Sequence, residues 1–244
     1  MTDSPHGFTR FHPRETLSPP LRFWRLALIW SLVLGPWSLL QPGCKSPPPA
    51  PETPTQDAES VNALIDSCLL CHSTREMQRG PIIDGLPAWY LELQLRRFMT
   101  GERGKNPDNR SEYLMGSGIS LLQTDEDLAT VVRHFSALPP AKHLKTIRGD
   151  NERGAQHYTF CATCHGPNGR GREEIQAPPL IVQEDWYLFD QLNRIKAGLR
   201  GGQDTNSTVW LMHQAVQGLN TQDFRDVVSY INDELAGRSP TGTD

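Results

Sequence analysis

One pentapeptide pattern, Cys-x-x-Cys-His, constrains this chain more than any other feature, and it occurs twice: Cys68-Leu69-Leu70-Cys71-His72 and Cys161-Ala162-Thr163-Cys164-His165. A Cys-x-x-Cys pair followed at once by His is the attachment pattern for c-type haem. Both thiols form thioether bonds to the vinyl groups, and the imidazole ligates the iron. Four thiols in two pairs also suit zinc, but zinc does not require His directly after the second Cys in both copies. A thioredoxin-like thiol pair uses the same spacing, but it expects an α/β sheet that the remaining sequence does not suggest. Two covalently bound haem c groups are therefore the primary expectation, with Cys68, Cys71, Cys161 and Cys164 as attachment points and His72 and His165 as iron ligands.

Around these motifs the chain repeats. Trp89-Tyr90-Leu91-x-x-Gln94-Leu95 returns as Trp186-Tyr187-Leu188-x-x-Gln191-Leu192, Gly101-x-Arg103-Gly104 as Gly198-x-Arg200-Gly201, and Met115 as Met212, all 97 positions later. Such self-similarity indicates two copies of one small domain, placed at 61–140 and 149–236 with 141–148 as linker. Pro139-Pro140 closes the first copy. A domain of fewer than 100 residues buries little apolar surface, and a covalently held porphyrin would supply much of the missing core.

The 244-residue chain exceeds two such domains, and the excess lies at the N-terminus. Residues 1–43 read as a signal peptide with a long n-region. Arg22 and Arg25 precede an apolar stretch over 26–40, which is short for a membrane span and is interrupted by Gly35-Pro36. Cys44, preceded by Gly43, resembles a bacterial lipoprotein cleavage site, although Gln41 stands where Leu is usual. The Pro-rich segment 44–60 then serves as a tether, and 237–244 as a disordered tail. This organisation predicts export to the periplasmic side of a bacterial membrane, with contact to the membrane surface through the N-terminal anchor. The chain carries a formal net charge of −4, and beyond Cys44 it has 20 basic and 26 acidic side chains. No basic stripe with interleaved aromatics occurs, so nucleic acid is not an expected partner.

Each copy reads as helical, without sustained period-two alternation. An amphipathic stretch precedes each motif: Val61, Leu64, Ile65 and Cys68 in the first copy, Gly154 to Phe160 in the second. A middle helix follows, with Leu91, Leu95 and Phe98 matched by Leu188, Leu192 and Ile195. The last helix opens on Thr124-x-x-Asp127 or Asn220-x-x-Asp223, both capping patterns. Its apolar face is Leu128, Val131, Val132, Phe135 and Leu138, or Phe224, Val227, Val228, Ile231 and Leu235. The fold class is therefore all-α, two small tandem domains each wrapped around one haem.

The iron face opposite each His decides between catalysis and electron transfer, because a second strong ligand closes the metal to substrates. Met212 is the one methionine of the second copy, and Met115 occupies the equivalent position in the first. Met77 is too close to His72 to pass around a porphyrin edge, and Met99, beside Phe98, reads as a packing residue. Met115 and Met212 are expected in loops before the last helix. His134, His143, His157 and His213 are the alternatives, but the first copy has no histidine beside Met115. His/Met ligation raises the reduction potential relative to bis-His.

Together these features resemble tandem dihaem class I cytochromes c of the cytochrome c4 and c553 kind, over about residues 61–236. The resemblance rests on both Cys-x-x-Cys-His motifs, Trp-Tyr-Leu-x-x-Gln-Leu, Gly-x-Arg-Gly, and each Met followed seven residues later by Leu122 or Leu219. It implies periplasmic electron transfer without a small-molecule substrate. Electrons would pass from a quinol-oxidising complex or dehydrogenase toward a terminal oxidase or reductase. It also implies that Pro81 and Pro178 set a backbone carbonyl against each proximal His. A dihaem peroxidase, or a fixed subunit of a membrane oxidoreductase complex, is the alternative. The copies differ in one respect: from His to Pro the loop spans 9 residues in the first and 13 in the second, where Gly166-Pro-Asn-Gly-Arg-Gly171 lies.

Overall fold

Eight α-helices, four per copy, and three short 3-10 or π-helical turns make up the helical structure among the described residues, which are 58–74, 78–201 and 207–237 of a computed structural model. The expected signal peptide, Cys44, nearly all of the tether, Met77 and all but the first residue of the tail lie outside them. The first copy comprises α1 (Ala58–Leu69), α2 (Ala88–Thr100), α3 (Arg110–Gly118) and α4 (Asp125–Ala137). The second comprises α5 (Asn151–His165), α6 (Asp185–Lys196), α7 (Thr208–Ala215) and α8 (Thr221–Tyr230), which continues into a π-helical turn at Ile231–Leu235. Among the described residues the only β pairing is an isolated bridge between Arg172 and Ala177.

Local sequence explains where the helices begin and end. In α4 the Thr124 hydroxyl accepts from Asp127 N at 3.0 Å, while the Asp127 carboxylate accepts from Thr124 N at 2.9 Å. Asn220 and Asp223 repeat this reciprocal cap on α8, so two orphan amide donors are satisfied at each start. Gly101 stops α2 in the left-handed region, at φ 78°, where a side chain would be strained.

The expected apolar faces are the cores. Leu128, Val131, Val132 and Phe135 of α4 pack with Ile65, Leu91 and Phe98. In the second copy Val227, Val228, Ile231 and Leu235 pack with Tyr158 and Leu188, and Phe224 packs with Ile195 and Val216. Complete burial of a phenylalanine such as Phe135 or Phe224 contributes about 2–3 kcal/mol each. The α5–α8 crossing needs a glycine: a Cβ on Gly154 would stand 2.1 Å from Asp226 O. Phe160 is 62% exposed, because the buried face of α5 runs through Gly154, Tyr158 and Cys161, at i, i+4 and i+7, and turns Phe160 outward. One expectation fails here, the packing role of Met99, which is exposed and lies one residue past the buried Phe98 on α2.

The copies meet across a pseudo-two-fold contact that reuses the repeated residues. Arg97 of α2 reaches Thr208 Oγ1 at 3.3 Å at the start of α7, and its counterpart Arg194 of α6 bonds Asn109 at the start of α3. Gln94 Oε1 accepts from Arg103 at 2.6 Å and from Arg200 of the other copy at 3.3 Å. The linker is also fixed: the buried Asp185 carboxylate accepts from Thr146 Oγ1 at 2.8 Å and Ile147 N at 2.7 Å.

Candidate functional site

Cys68 lies in the last turn of α1, and His72 N continues the helical pattern by donating to Cys68 O at 3.1 Å. Cys161, Cys164 and His165 all lie in the last turns of α5. His72 Nδ1 is 2.6 Å from Pro81 O, and His165 Nδ1 is 2.9 Å from Pro178 O. A carbonyl only accepts, so in both rings the proton sits on Nδ1 and the Nε2 lone pair is left for a metal. Burial pushes both imidazoles below the ordinary histidine range, against the opposing pull of the two proline carbonyls. A neutral, tautomer-locked ring is the ligating form.

The loops that bring these prolines back differ. In the first copy Arg79 N and Gly80 N both donate to Cys71 O, at 3.0 and 2.9 Å, folding the short loop tightly under His72. Here a Cβ on Gly80 would stand 2.7 Å from His72 Cε1. The longer loop of the second copy turns through Gly166, Gly169 and Gly171, all at positive φ, and Gly171 N donates to His165 O at 2.9 Å.

All four thiols are free. Burial pushes the Cys68 thiol up, and Cys161 up to about 11, the opposite of the acidified thiolate that a thiol redox pair requires. Among the described residues no three His, Cys, Asp or Glu side chains converge as a zinc site would need.

Met115 and Met212 lie in α3 and α7, so the expectation of loop positions is corrected. Each occupies a short helix just ahead of the last one. The capping patterns at Thr124 and Asn220 mark only where the last helix begins and carry no signal for the short helix ahead of it. Met115 packs against the same core as Cys68, while Met212 packs with Ile195, Val216 and Phe224, beside the core that holds Cys161. The alternative histidines have other partners: His157 faces Asp223 at 3.2 Å, His143 bonds Val182 O at 3.2 Å, and His213 Nδ1 bonds Ile195 O at 2.6 Å.

Between the copies lies a group that sequence reasoning left without a role. Arg103 and Arg200 are both buried, and among the described residues the only carboxylate in an ion pair with either is Glu112, on Arg103. Burial works against the Arg103 charge, but Tyr187 and then Glu112 more than offset it and hold its pKa above the ordinary arginine value. The Nε donors of both arginines are buried without a partner among the described residues. The clue was present in the repeat: Gln94 with Arg103, and Gln191 with Arg200, recur at the same separation of nine and are bonded at 2.6 and 2.5 Å.

The cytochrome c family profile matches residues 151–233. Cytochrome c4 of Azotobacter vinelandii is 25% identical over 194 residues, 72% of this chain and 88% of that protein. The thiosulfate dehydrogenase electron acceptor of Thiomonas intermedia (strain K12) is 26% identical over 183 residues, 68% of this chain and 77% of that one. The chain is similar to cytochrome c4 over most of that protein's length. The fold agrees: the crystal structure of reduced cytochrome c4 from Pseudomonas stutzeri superposes with a TM-score of 0.56 at 23% identity, covering 72% of this chain and 98% of that one.

The proteins that the chain resembles are cytochromes c, a family whose members carry covalent haem c. The residues present fit that group on the chemistry of the donor set. Each Cys pair is unbridged, each following His holds Nδ1 on a proline carbonyl and leaves Nε2 for a metal, and the buried Nε donors of Arg103 and Arg200 suit the propionate carboxylates of a haem. Among the described residues no helix is long and apolar enough to cross a membrane.

Proposed function

We propose that this chain is a dihaem electron carrier. Cys68 and Cys71 would hold one haem, with His72 and Met115 as axial ligands. Cys161 and Cys164 would hold the other, with His165 and Met212. The observation that carries the reading is the matched pair of proximal histidines, each donating from Nδ1 to a proline carbonyl and leaving Nε2 free. When bound, haem c supplies a one-electron iron couple. The protein holds each imidazole in one tautomer and orientation, sets its donor strength through Pro81 or Pro178, and offers a thioether that favours the reduced state. Arg103 and Arg200 would neutralise propionates between the copies, where both guanidinium charges lie buried.

Electrons would enter through one copy and leave through the other. Similarity to the electron acceptor of thiosulfate dehydrogenase supports a dehydrogenase as donor. A quinol-oxidising complex is the other donor class, and the acceptor is a terminal oxidase or reductase. The apolar segment over 26–40 and the Gly43-Cys44 pair support a periplasmic location and a lipid tether. The decisive experiment changes Met115 and Met212 singly to Ala in the haem-loaded protein. Each change should halve the Met–iron charge-transfer band and open one haem of two to carbon monoxide. A wild-type protein that binds carbon monoxide at both haems without losing a ligand would overturn the carrier reading.

A further inference from the structure

We infer that Glu184 of the second copy sets the donor strength of His72 in the first, acting through the Pro81–Ile82 peptide group, and so lowers the reduction potential of the first copy alone. The inference rests on the reading of His72 as an axial ligand. The Pro81 carbonyl, which accepts from His72 Nδ1 at 2.6 Å, belongs to the same peptide unit as Ile82 N. Ile82 N donates to Glu184 Oε2 at 2.8 Å, and that same oxygen accepts from Gln78 Nε2 at 2.6 Å. An unbroken chain therefore runs from carboxylate to amide, carbonyl and imidazole. Both Glu184 and Ile82 are buried, so the field of the carboxylate is little screened by water.

The direction of the effect follows from elementary polarisation. An amide that donates to a carboxylate places more negative charge on its own carbonyl oxygen. That oxygen draws harder on the Nδ1 proton, and Nε2 becomes a stronger donor, as in the carboxylate–histidine pairs behind many metal ligands. A stronger donor stabilises the oxidised metal. The carboxylate charge, acting through space, has the same sign.

The second copy cannot build this device. The residue matching Ile82 is Pro179, which has no amide hydrogen, so the peptide that faces His165 has nothing to donate. The first copy also has no reciprocal carboxylate, because Pro87 stands where the second has Glu184. The pseudo-two-fold contact is thus broken at the one place where it touches a proximal histidine. Glu184 is a positioning and tuning residue and does not itself touch the iron.

The test is a spectroelectrochemical titration of haem-loaded Glu184→Gln, Ile82→Pro and the double variant, with the two one-electron steps assigned in a Met212→His background that displaces the second copy. Glu184→Gln keeps an acceptor for Ile82 N while removing the charge. It should favour reduction of the first copy by roughly three- to tenfold, about 28 to 59 mV at 59 mV per tenfold for one electron. The second step should stay in place. Ile82→Pro, which gives the first copy the second copy's chemistry, should shift the same step in the same direction, and Glu184→Gln added to it should do less than it does alone. Equal movement of both steps, no movement, or full additivity would sink the inference. Haem content and the His72 Nδ1 proton resonance separate this from failure of the underlying reading. Two haems with His72 ligated and an unmoved potential reject Glu184 alone, whereas loss of His72 ligation in the wild type rejects both.

Discussion

Replacing Gly80 with alanine tests how tightly the first copy holds its proximal histidine. Gly80 does not have the positive φ that would reserve the position for glycine, so alanine meets no backbone strain there. On backbone grounds the change should stabilise by about 0.4–1 kcal/mol, by restricting the unfolded chain. Sterics point the other way. The new Cβ would lie 2.7 Å from His72 Cε1 and 2.9 Å from Nδ1, whereas ordinary carbon contacts settle near ~3.5–4.0 Å. The ring cannot simply retreat, because its Nδ1 proton is bound to Pro81 O, one residue along the same short loop. Overpacking of this kind costs about 1–3 kcal/mol. The net is a loss of about 1–2 kcal/mol, which for a chain of this size lowers Tm by about 2–8 °C. The matched residue of the second copy is Ala177, where a longer loop carries the backbone differently. Ala177→Gly should therefore leave the second copy's potential unchanged. Calorimetry on the haem-loaded protein, together with resolved potentials, decides the matter. An unchanged or raised Tm for Gly80→Ala, with the first potential in place, would refute the steric argument.

Other perturbations have equally definite outcomes. Glu112→Gln leaves the buried Arg103 guanidinium without its carboxylate and should cost about 3–5 kcal/mol in denaturant titration. Asp185→Ala strands the Thr146 hydroxyl and the Ile147 amide, so hydrogen exchange should accelerate across the linker while α4 and α8 stay protected. Asp223 is held below the usual carboxylate range by the Asn220 cap first, with His157 and Arg153 assisting. A depressed value means its stabilisation is present above the unfolded carboxylate pKa and is lost as pH falls through the folded one. Asp223→Asn should therefore flatten the acid limb of the stability profile followed by circular dichroism.

Much of the fold was legible because its signals were local. The capping pairs at Thr124 and Asn220, the i, i+4, i+7 spacing of Leu91, Leu95 and Phe98, and the 97-residue repeat each act over a few residues or by self-comparison. The helical setting of Met115 and Met212 escaped notice because α3 and α7 are short and carry weak apolar periodicity. Arg103 and Arg200 were visible as a repeated motif, but their meaning depends on two copies meeting, and contacts across 90 or more residues leave no periodic trace.

Glu184 shows why that gap matters for function. By sequence it is an unremarked acidic residue ahead of α6, and in the fold it is the second copy's contribution to the first copy's proximal side. A repeat with one ligand set would yield two similar potentials and no preferred direction for the electron between them. On the proposed ligand set, divergence at two matched positions, Ile82 against Pro179 and Pro87 against Glu184, would help to separate the copies without altering any ligand. Because the carboxylate reaches its target only when the copies are docked, the potential of the first copy also reports whether the interface around Gln94, Arg103 and Arg200 is intact. Replacing Thr208 or Asn109, which hold the copies together without carrying charge, should therefore raise the first copy's potential as the contact loosens.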